Sequence, residues 1–113
     1  LEAAADLSAK QYHIVRASGA NLTNQASHDA DTALVGVLQN KPASGEFAAI
    51  ENDGVGYVVA GAAVTVNALI TTNGSGRAIA ASSGDFVVGR AIKAASADGD
   101  KIEAIYQAPF FWK

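Results

Sequence analysis

Histidine is the side chain that most often carries acid–base catalysis, and this sequence has two, His13 and His28. His13 alternates with apolar residues in a β-like stretch, so we expect it to be a half-exposed strand residue. His28 stands beside Asp29 and Asp31, and imidazole and carboxylate groups together can hold a divalent ion. The paired-histidine spacing of known metal motifs is missing, so a solvated loop is the preferred interpretation. A metal-dependent enzyme built on these three residues is the weakest hypothesis.

Two glycine-containing turns resemble ligand-binding loops only in part. Asp-Gly-Asp at residues 98–100 resembles a calcium loop, but the further oxygen ligands at fixed spacing are missing. Gly-Ser-Gly at residues 74–76 is not followed by the Lys-Ser or Lys-Thr pair of a phosphate-binding loop. The sequence suggests no Ser, His and acid set, and it contains no cysteine. We therefore predict that the chain is not an enzyme and has no cofactor or metal site.

Charge and composition exclude further classes of function. The 8 basic and 11 acidic side chains give a net charge of -3 without a basic cluster, which argues against binding nucleic acid through its phosphates. No apolar run reaches the roughly 18 residues that a membrane span needs. We therefore expect neither a nucleic-acid partner nor a membrane partner.

Short β-like segments, about ten residues apart and separated by Gly, Asn or Asp turns, organise the chain. They cover residues 12–17, 34–38, 47–50, 55–59, 69–72, 77–80, 86–92 and 101–106. The strongest hairpin signal is Asn-Gly-Ser-Gly at residues 73–76, because Asn-Gly accepts the positive φ values of a tight turn. No sustained helical periodicity competes with this pattern. We predict a mainly β, small single domain of the barrel or sandwich type.

The hydrophobic half of the chain is dominated by small residues. It has 25 alanines, 23 Val, Ile or Leu residues and only 8 aromatics, so the predicted core is thin. We divide the chain into an N-terminal arm (1–10), a β domain (11–107) and an aromatic tail (108–113). The arm contains Leu1 and Leu7 and is interpreted as a segment that becomes ordered on a partner.

The tail places three large aromatic residues, Phe110, Phe111 and Trp112, next to one another. Three such side chains in water would be an apolar liability, so they must be covered. Burial against the chain's own barrel and burial across an interface are both open. Aromatic residues are favoured anchors of interfaces, which makes these three candidate contact residues together with Leu1 and Leu7.

The second half of the sequence contains VTVNALITTNGSGRAIAA at residues 64–81, FVVGRAI at 86–92, an Ala-rich loop at 93–100 and the closing strand IEAIY at 102–106. Together these segments resemble head decoration proteins of tailed bacteriophages, also called capsid cement proteins. LVGVL at residues 34–38 resembles an earlier Gly-Val strand of the same family. The likeness spans residues 12–106 and leaves the arm and the tail unmatched.

The resemblance implies a small β-barrel or β-tulip domain that assembles as a homotrimer. It further implies a location in the virion, on the outer surface of the expanded capsid, with the major capsid protein as the partner. There the protein would bridge neighbouring capsid subunits and stabilise the shell. The interface residues that we assign to this role are Leu1, Leu7, Phe110, Phe111 and Trp112.

A binding module of a viral or cell-surface fibre is the alternative function. Such a module would recognise carbohydrate or a receptor, and sugar sites use exposed aromatic faces beside carboxylates and amides. Tyr57 and Trp112 are the candidate aromatic residues for that role. The two functions differ in their partner, which is a capsid shell in one case and a saccharide or receptor in the other.

Overall fold

The computed structural model of the chain describes residues 1–27 and 31–112. Within these ranges the chain forms β-strands, turns and loops, and no helix. The strands are β1 (Glu2–Ala3), β2 (Ile14–Gly19), β3 (Leu22–Gln25), β4 (Leu34–Leu38), β5 (Ile50–Glu51), β6 (Gly54–Val59), β7 (Leu69–Thr72), β8 (Ala78–Ala80), β9 (Phe86–Ala91) and β10 (Lys101–Phe111). The predicted fold class, a small β-barrel-like single domain, is confirmed.

The two halves of the sequence build two separate five-stranded sheets. Sheet A has the order β1-β3-β2-β4-β5, and sheet B has the order β6-β10-β9-β7-β8. All pairings are antiparallel except β1 with β3. The chain passes from sheet A to sheet B through residues 52 and 53, so the turn at 52–54, between the segments predicted at 47–50 and 55–59, connects two sheets. The hairpin predicted at residues 73–76 joins β7 to β8 as expected.

Sheet B curls until its two outer strands meet at one end. Directly after β6, Ala60 forms a parallel bridge with Ala78 of β8. The amide of Gly61 donates to the carbonyl of Ala78 at 2.7 Å. This contact turns the sheet toward a small barrel, which protects its edges at that end.

The main hydrophobic core lies between the two sheets and consists of small and β-branched side chains with one tyrosine. Its members are Ile14, Ala26, Leu34, Val37, Val58, Ala60, Val64, Ile70, Ala78, Val88, Ala91, Ala95, Ile102, Ala104 and Tyr106. A second, smaller cluster occupies the opposite face of sheet A and consists of Ala3, Leu7, Val15, Leu38 and Ala48. Sheet A is therefore covered on both faces around β4, which explains why this strand is continuously apolar.

A β-bulge in β4 gives this strand its two apolar faces. Val15 of β2 is opposite Gly36, whereas the next residue, Arg16, is opposite Leu34, so Val35 is the extra residue. The bulge turns Leu34 and Val37 to the same face, although their spacing in the sequence is odd. A Cβ on Gly36 would lie 2.4 Å from the carbonyl oxygen of Glu51. Only glycine fits where β5 approaches this closely.

The N-terminal segment was predicted to become ordered on a partner, but it is hydrogen-bonded to other segments of the same chain and contributes β1 to sheet A. The amides of Glu2 and Ala4 donate to the carbonyls of Asn21 and Thr23 on one side. On the other side, the amide of Leu7 donates to the carbonyl of Pro42 at 2.9 Å. The segment thus satisfies its own backbone groups within the domain and covers the second hydrophobic cluster.

Sequence patterns did not predict β3 or the C-terminal extension of β10. β3 has the polar sequence Leu-Thr-Asn-Gln, and it is held by pairing with both β1 and β2. β10 continues past Tyr106 to Phe111 although it contains Pro109, which cannot donate a ladder hydrogen bond. Its register with β9 shifts between Tyr106 and Phe110, and this irregularity accommodates the proline.

Candidate interaction surfaces

The predicted metal cluster is only partly covered by the structure. His28 and Asp29 lie outside the described residues. Asp31 is buried, and its carboxylate accepts hydrogen bonds from the amide and hydroxyl of Ser27 and pairs with the Nε of Arg16 at 3.3 Å. Burial alone would raise the pKa of Asp31. The hydrogen bonds and the Arg16 charge together lower it by more than burial raises it, so the pKa lies below its usual value. Asp31 is therefore an ionised residue that holds Ser27 and Arg16.

The other predicted acidic turn is held by internal hydrogen bonds. Asp100 accepts from the amide and hydroxyl of Ser96 at 2.9 and 3.0 Å and from the amide of Ala97 at 3.2 Å. Asp98 forms an ion pair of 2.8 Å with Arg77. In residues 1–27 and 31–112, no group of three or more His, Asp or Glu side chains is placed to hold a metal ion, and no pocket is present. No helix in these ranges could cross a membrane.

His13 is buried, so the expectation of a half-exposed strand residue was wrong. It immediately precedes β2 and is only 4% exposed. Its Nδ1 lies 3.2 Å from the carbonyl oxygen of Gln11, and the Nε of Arg77 donates to its Nε2 at 3.4 Å. These partners assign the proton to Nδ1 and leave Nε2 as an acceptor, which is the neutral form of the ring. His13 and Arg77 thereby link sheet A to the β7–β8 turn.

The burial of His13 predicts that acid destabilises the protein. Desolvation by burial, together with the charges of Lys10 and Arg77, lowers the pKa of His13 below 6.5 despite its bond to Gln11. An unfolded chain then binds more protons than the folded one, so this stability is present above the unfolded pKa and is lost as the pH falls below it. We expect the melting temperature to fall between about pH 7.5 and about pH 5.5, and His13→Gln to reduce that fall. His28→Asn is the control. If the melting temperature of the His13 variant falls with pH as much as that of the unaltered chain, the pH dependence does not come from the burial of His13.

Residues 108–111 of the predicted aromatic tail form the end of β10, and the two phenylalanine rings remain partly exposed. Phe111 lies opposite Phe86, and the two ring centroids are 5.4 Å apart. The amide of Trp112 donates to the carbonyl of Asp85 at 2.9 Å. The exposed fractions are 39% for Phe110 and 52% for Phe111. The tail backbone thus belongs to sheet B, while both phenylalanine rings present apolar area at the surface.

The two N-terminal candidate residues have opposite environments. Leu7 is 2% exposed and packs within the second hydrophobic cluster, so its side chain is covered by the chain itself. Leu1 is exposed beside Phe47, which pairs with Glu2 and is the most exposed large hydrophobic residue among those described, at 70%. The structure thus places Leu1 at the surface of sheet A and the tail in sheet B.

The outer face of sheet B is an apolar surface that the sequence reasoning did not identify. In β10 the buried residues alternate with outward ones, and the outward residues line up across the sheet with residues of β6 and β9. We call this surface the β6–β10 face and define it by Val55, Tyr57, Arg90, Ile92, Lys101, Glu103 and Ile105. In the sequence, the alternation of Lys-Ile-Glu-Ala-Ile-Tyr at residues 101–106 already indicated that Lys101, Glu103 and Ile105 share one face of the strand.

Stacked aromatic and cationic groups order one end of this face. The Lys101 ammonium lies 4.7 Å from the ring centroid of Tyr57 and 5.5 Å from that of Tyr12. The two rings meet edge to face at 5.5 Å. Beneath them, the Tyr106 hydroxyl donates to the carbonyl of Tyr57, and the ring crosses Gly56, where a Cβ would overlap it. Tyr57 is therefore a fixed, partly exposed ring.

The fold places the chain in the class of two-sheet, all-β domains with a barrel-like second sheet. The chain matches no protein-family model and no curated protein. Its structure is similar to that of the N base of head fiber gp8.5 in bacteriophage phi29, with a TM-score of 0.68 and 15% sequence identity. The match covers 96% of this chain and 92% of that chain. At this identity the likeness establishes a common fold over nearly the whole of both chains.

Proposed function

We propose that this chain is a structural protein of a phage virion, carried on the head. The observation that carries the proposal is the shared fold with a phage head fiber base over 96% of the chain. The sequence resemblance to phage head decoration proteins points independently to the same compartment. The described residues offer exposed apolar surfaces and no pocket, which suits a protein that works by binding other proteins.

In its finer form, the proposal assigns the chain to the outer surface of the expanded capsid. There a homotrimer binds the major capsid protein, bridges neighbouring subunits and stabilises the shell. Phe110, Phe111 and Leu1 are the proposed contacts because they combine exposed apolar area with ordered backbones. Trp112 follows Phe111, is half-buried, and is hydrogen-bonded through its backbone to Gly84 and Asp85. Many copies on one shell would gain affinity from simultaneous engagement.

The test uses expanded capsids of the phage that encodes the chain, prepared without this protein, and measures whether the purified chain binds to them. We expect saturable, stoichiometric binding in sedimentation and a higher temperature of shell disruption. Phe110→Ser should weaken capsid binding by about tenfold or more, because it removes an exposed aromatic anchor. Val66→Ser, at another exposed apolar residue, is the matched control and should bind as the unaltered chain does. Absence of binding to these capsids would contradict the proposal.

A fibre module that binds carbohydrate or a receptor is the second candidate function. The specific observations are that the structural neighbour is a fiber base and that Tyr57 presents an ordered, exposed ring. Because Trp112 is the single tryptophan, a titration with host surface polysaccharide can be followed by its fluorescence. A saturable change that Tyr57→Ala removes would favour this function over capsid bridging.

A further inference from the structure

The β6–β10 face consists of registered rows in which apolar and charged side chains alternate. One row runs across the sheet from Val55 to Ile105 to Arg90, since these residues are direct neighbours on β6, β10 and β9. In the adjoining row Tyr57 pairs with Glu103, whose carbonyl accepts from the amide of Ile92 at 3.1 Å. The four apolar side chains of the two rows are all exposed, Val55 to 64%.

The charges of this face have no partners of opposite sign in the described chain. Lys101 lies against the tyrosine rings, and Arg90 donates to the carbonyl of Asn67 at 3.0 Å. The ion pairs in residues 1–27 and 31–112 involve other groups, and none includes Glu103. Glu103 thus lies between Lys101 on its own strand and Arg90 on the neighbouring strand. All three charged residues lie on strands of sheet B and are exposed, so another molecule can reach them.

We infer that the β6–β10 face is the surface through which copies of this chain associate with one another. Its charge pattern supplies its own complement, because Glu103 of one copy can meet Lys101 or Arg90 of the next while the apolar side chains pack between them. A surface that carries both halves of an ionic complement is suited to a symmetric assembly. Tyrosine and arginine are, in addition, residue types enriched in protein interfaces.

The thin core makes such an association energetically useful. Alanine accounts for 25 residues, so a lone domain of this length buries little apolar area per residue. Covering Val55, Tyr57, Ile92 and Ile105 in an interface adds apolar burial to a rigid, preformed surface, which loses little conformational freedom on binding. The inference deepens the homotrimer part of the proposed function and rests on it only for the number of copies.

The test is self-association of the full chain in solution, measured by sedimentation velocity over a range of concentrations. We expect the unaltered chain to form an oligomer, and Val55→Lys to weaken its association by about tenfold or more, because a charge would be buried in the contact. Glu103→Lys and Lys101→Glu should each weaken it by about tenfold, and the double exchange of these two residues should recover most of the loss. Phe47→Ser, on sheet A, is the control and should leave association unchanged.

Each variant is checked by circular dichroism and thermal melting, so that loss of folding is not taken for loss of association. A chain that is monomeric at all concentrations would overturn the inference, as would a double exchange that fails to recover association. A Val55→Lys chain that still forms the oligomer but no longer binds capsids would also overturn it, because the face would then contact the shell. Failure of the proposed function has a different signature, namely intact self-association without capsid binding.

Discussion

A Gly89→Ala chain is expected to be severely destabilised. Gly89 of β9 lies opposite Tyr106 of β10, and a Cβ built on it would lie 2.3 Å from the carbonyl oxygen of Ile105. That oxygen belongs to the backbone of β10, an interior strand of sheet B, so it cannot move aside without breaking the pairing of β10 with its two neighbours. We expect a loss of about 3 kcal/mol or more in the free energy of unfolding, as for other severe backbone clashes. Urea denaturation followed by circular dichroism measures it.

Gly45→Ala is the matched control for this substitution. A Cβ on Gly45 has no heavy atom within 4 Å, and the residue's φ of +83° makes alanine mildly strained there. The expected cost is about 1 kcal/mol, which comes from the backbone conformation alone. If Gly89→Ala costs no more than Gly45→Ala, then the close approach of β9 to β10 is not a requirement of the fold.

Leu7→Ala is expected to destabilise the isolated chain by about 2–4 kcal/mol, the range for emptying a buried leucine site. The expected loss follows from the position of Leu7 in the second hydrophobic cluster, where it packs with Val15, Leu38 and Ala48. Leu1→Ala is the matched control, because Leu1 belongs to the same segment but is exposed. Thermal or urea unfolding of the purified chain compares the two variants. Equal stabilities would mean that the segment is ordered only on a partner, as its sequence first suggested.

Turn chemistry and β-branched residues made most of the fold predictable from the sequence. The segments expected at 34–38 and 69–72 coincide with β4 and β7, and the Asn-Gly turn lies where the hairpin was predicted. These elements are specified by local signals that do not depend on distant residues. The same signals could not show that the turn at 52–54 joins two different sheets, since its residues are equally suited to a hairpin.

The elements that were missed are held by contacts outside their own sequence. β3 has little apolar character, and its place is fixed by hydrogen bonds to β1 and β2. His13 alternates with apolar residues as an exposed strand residue would, but a contact with Arg77, 64 positions later, buries it. Among the five predicted interface residues, Leu7 is covered within the chain itself, and no local signal in the sequence marks segment 42–48 as its cover. The interface role of the tail stays a prediction, whose exposed rings the structure now locates.

The division of the two sheets between the two halves of the sequence has a consequence for synthesis on the ribosome. Every strand of sheet A is complete once residue 51 has emerged, whereas the first strand of sheet B begins at residue 54. The inner side of sheet A, with Ile14, Leu34 and Val37, therefore waits for the second half of the chain before it is covered. Nascent sheets with uncovered apolar faces are prone to aggregate. The other face of sheet A is covered by residues 1–7 and 42–48, which are made before sheet B, so only one face waits for the second half of the chain.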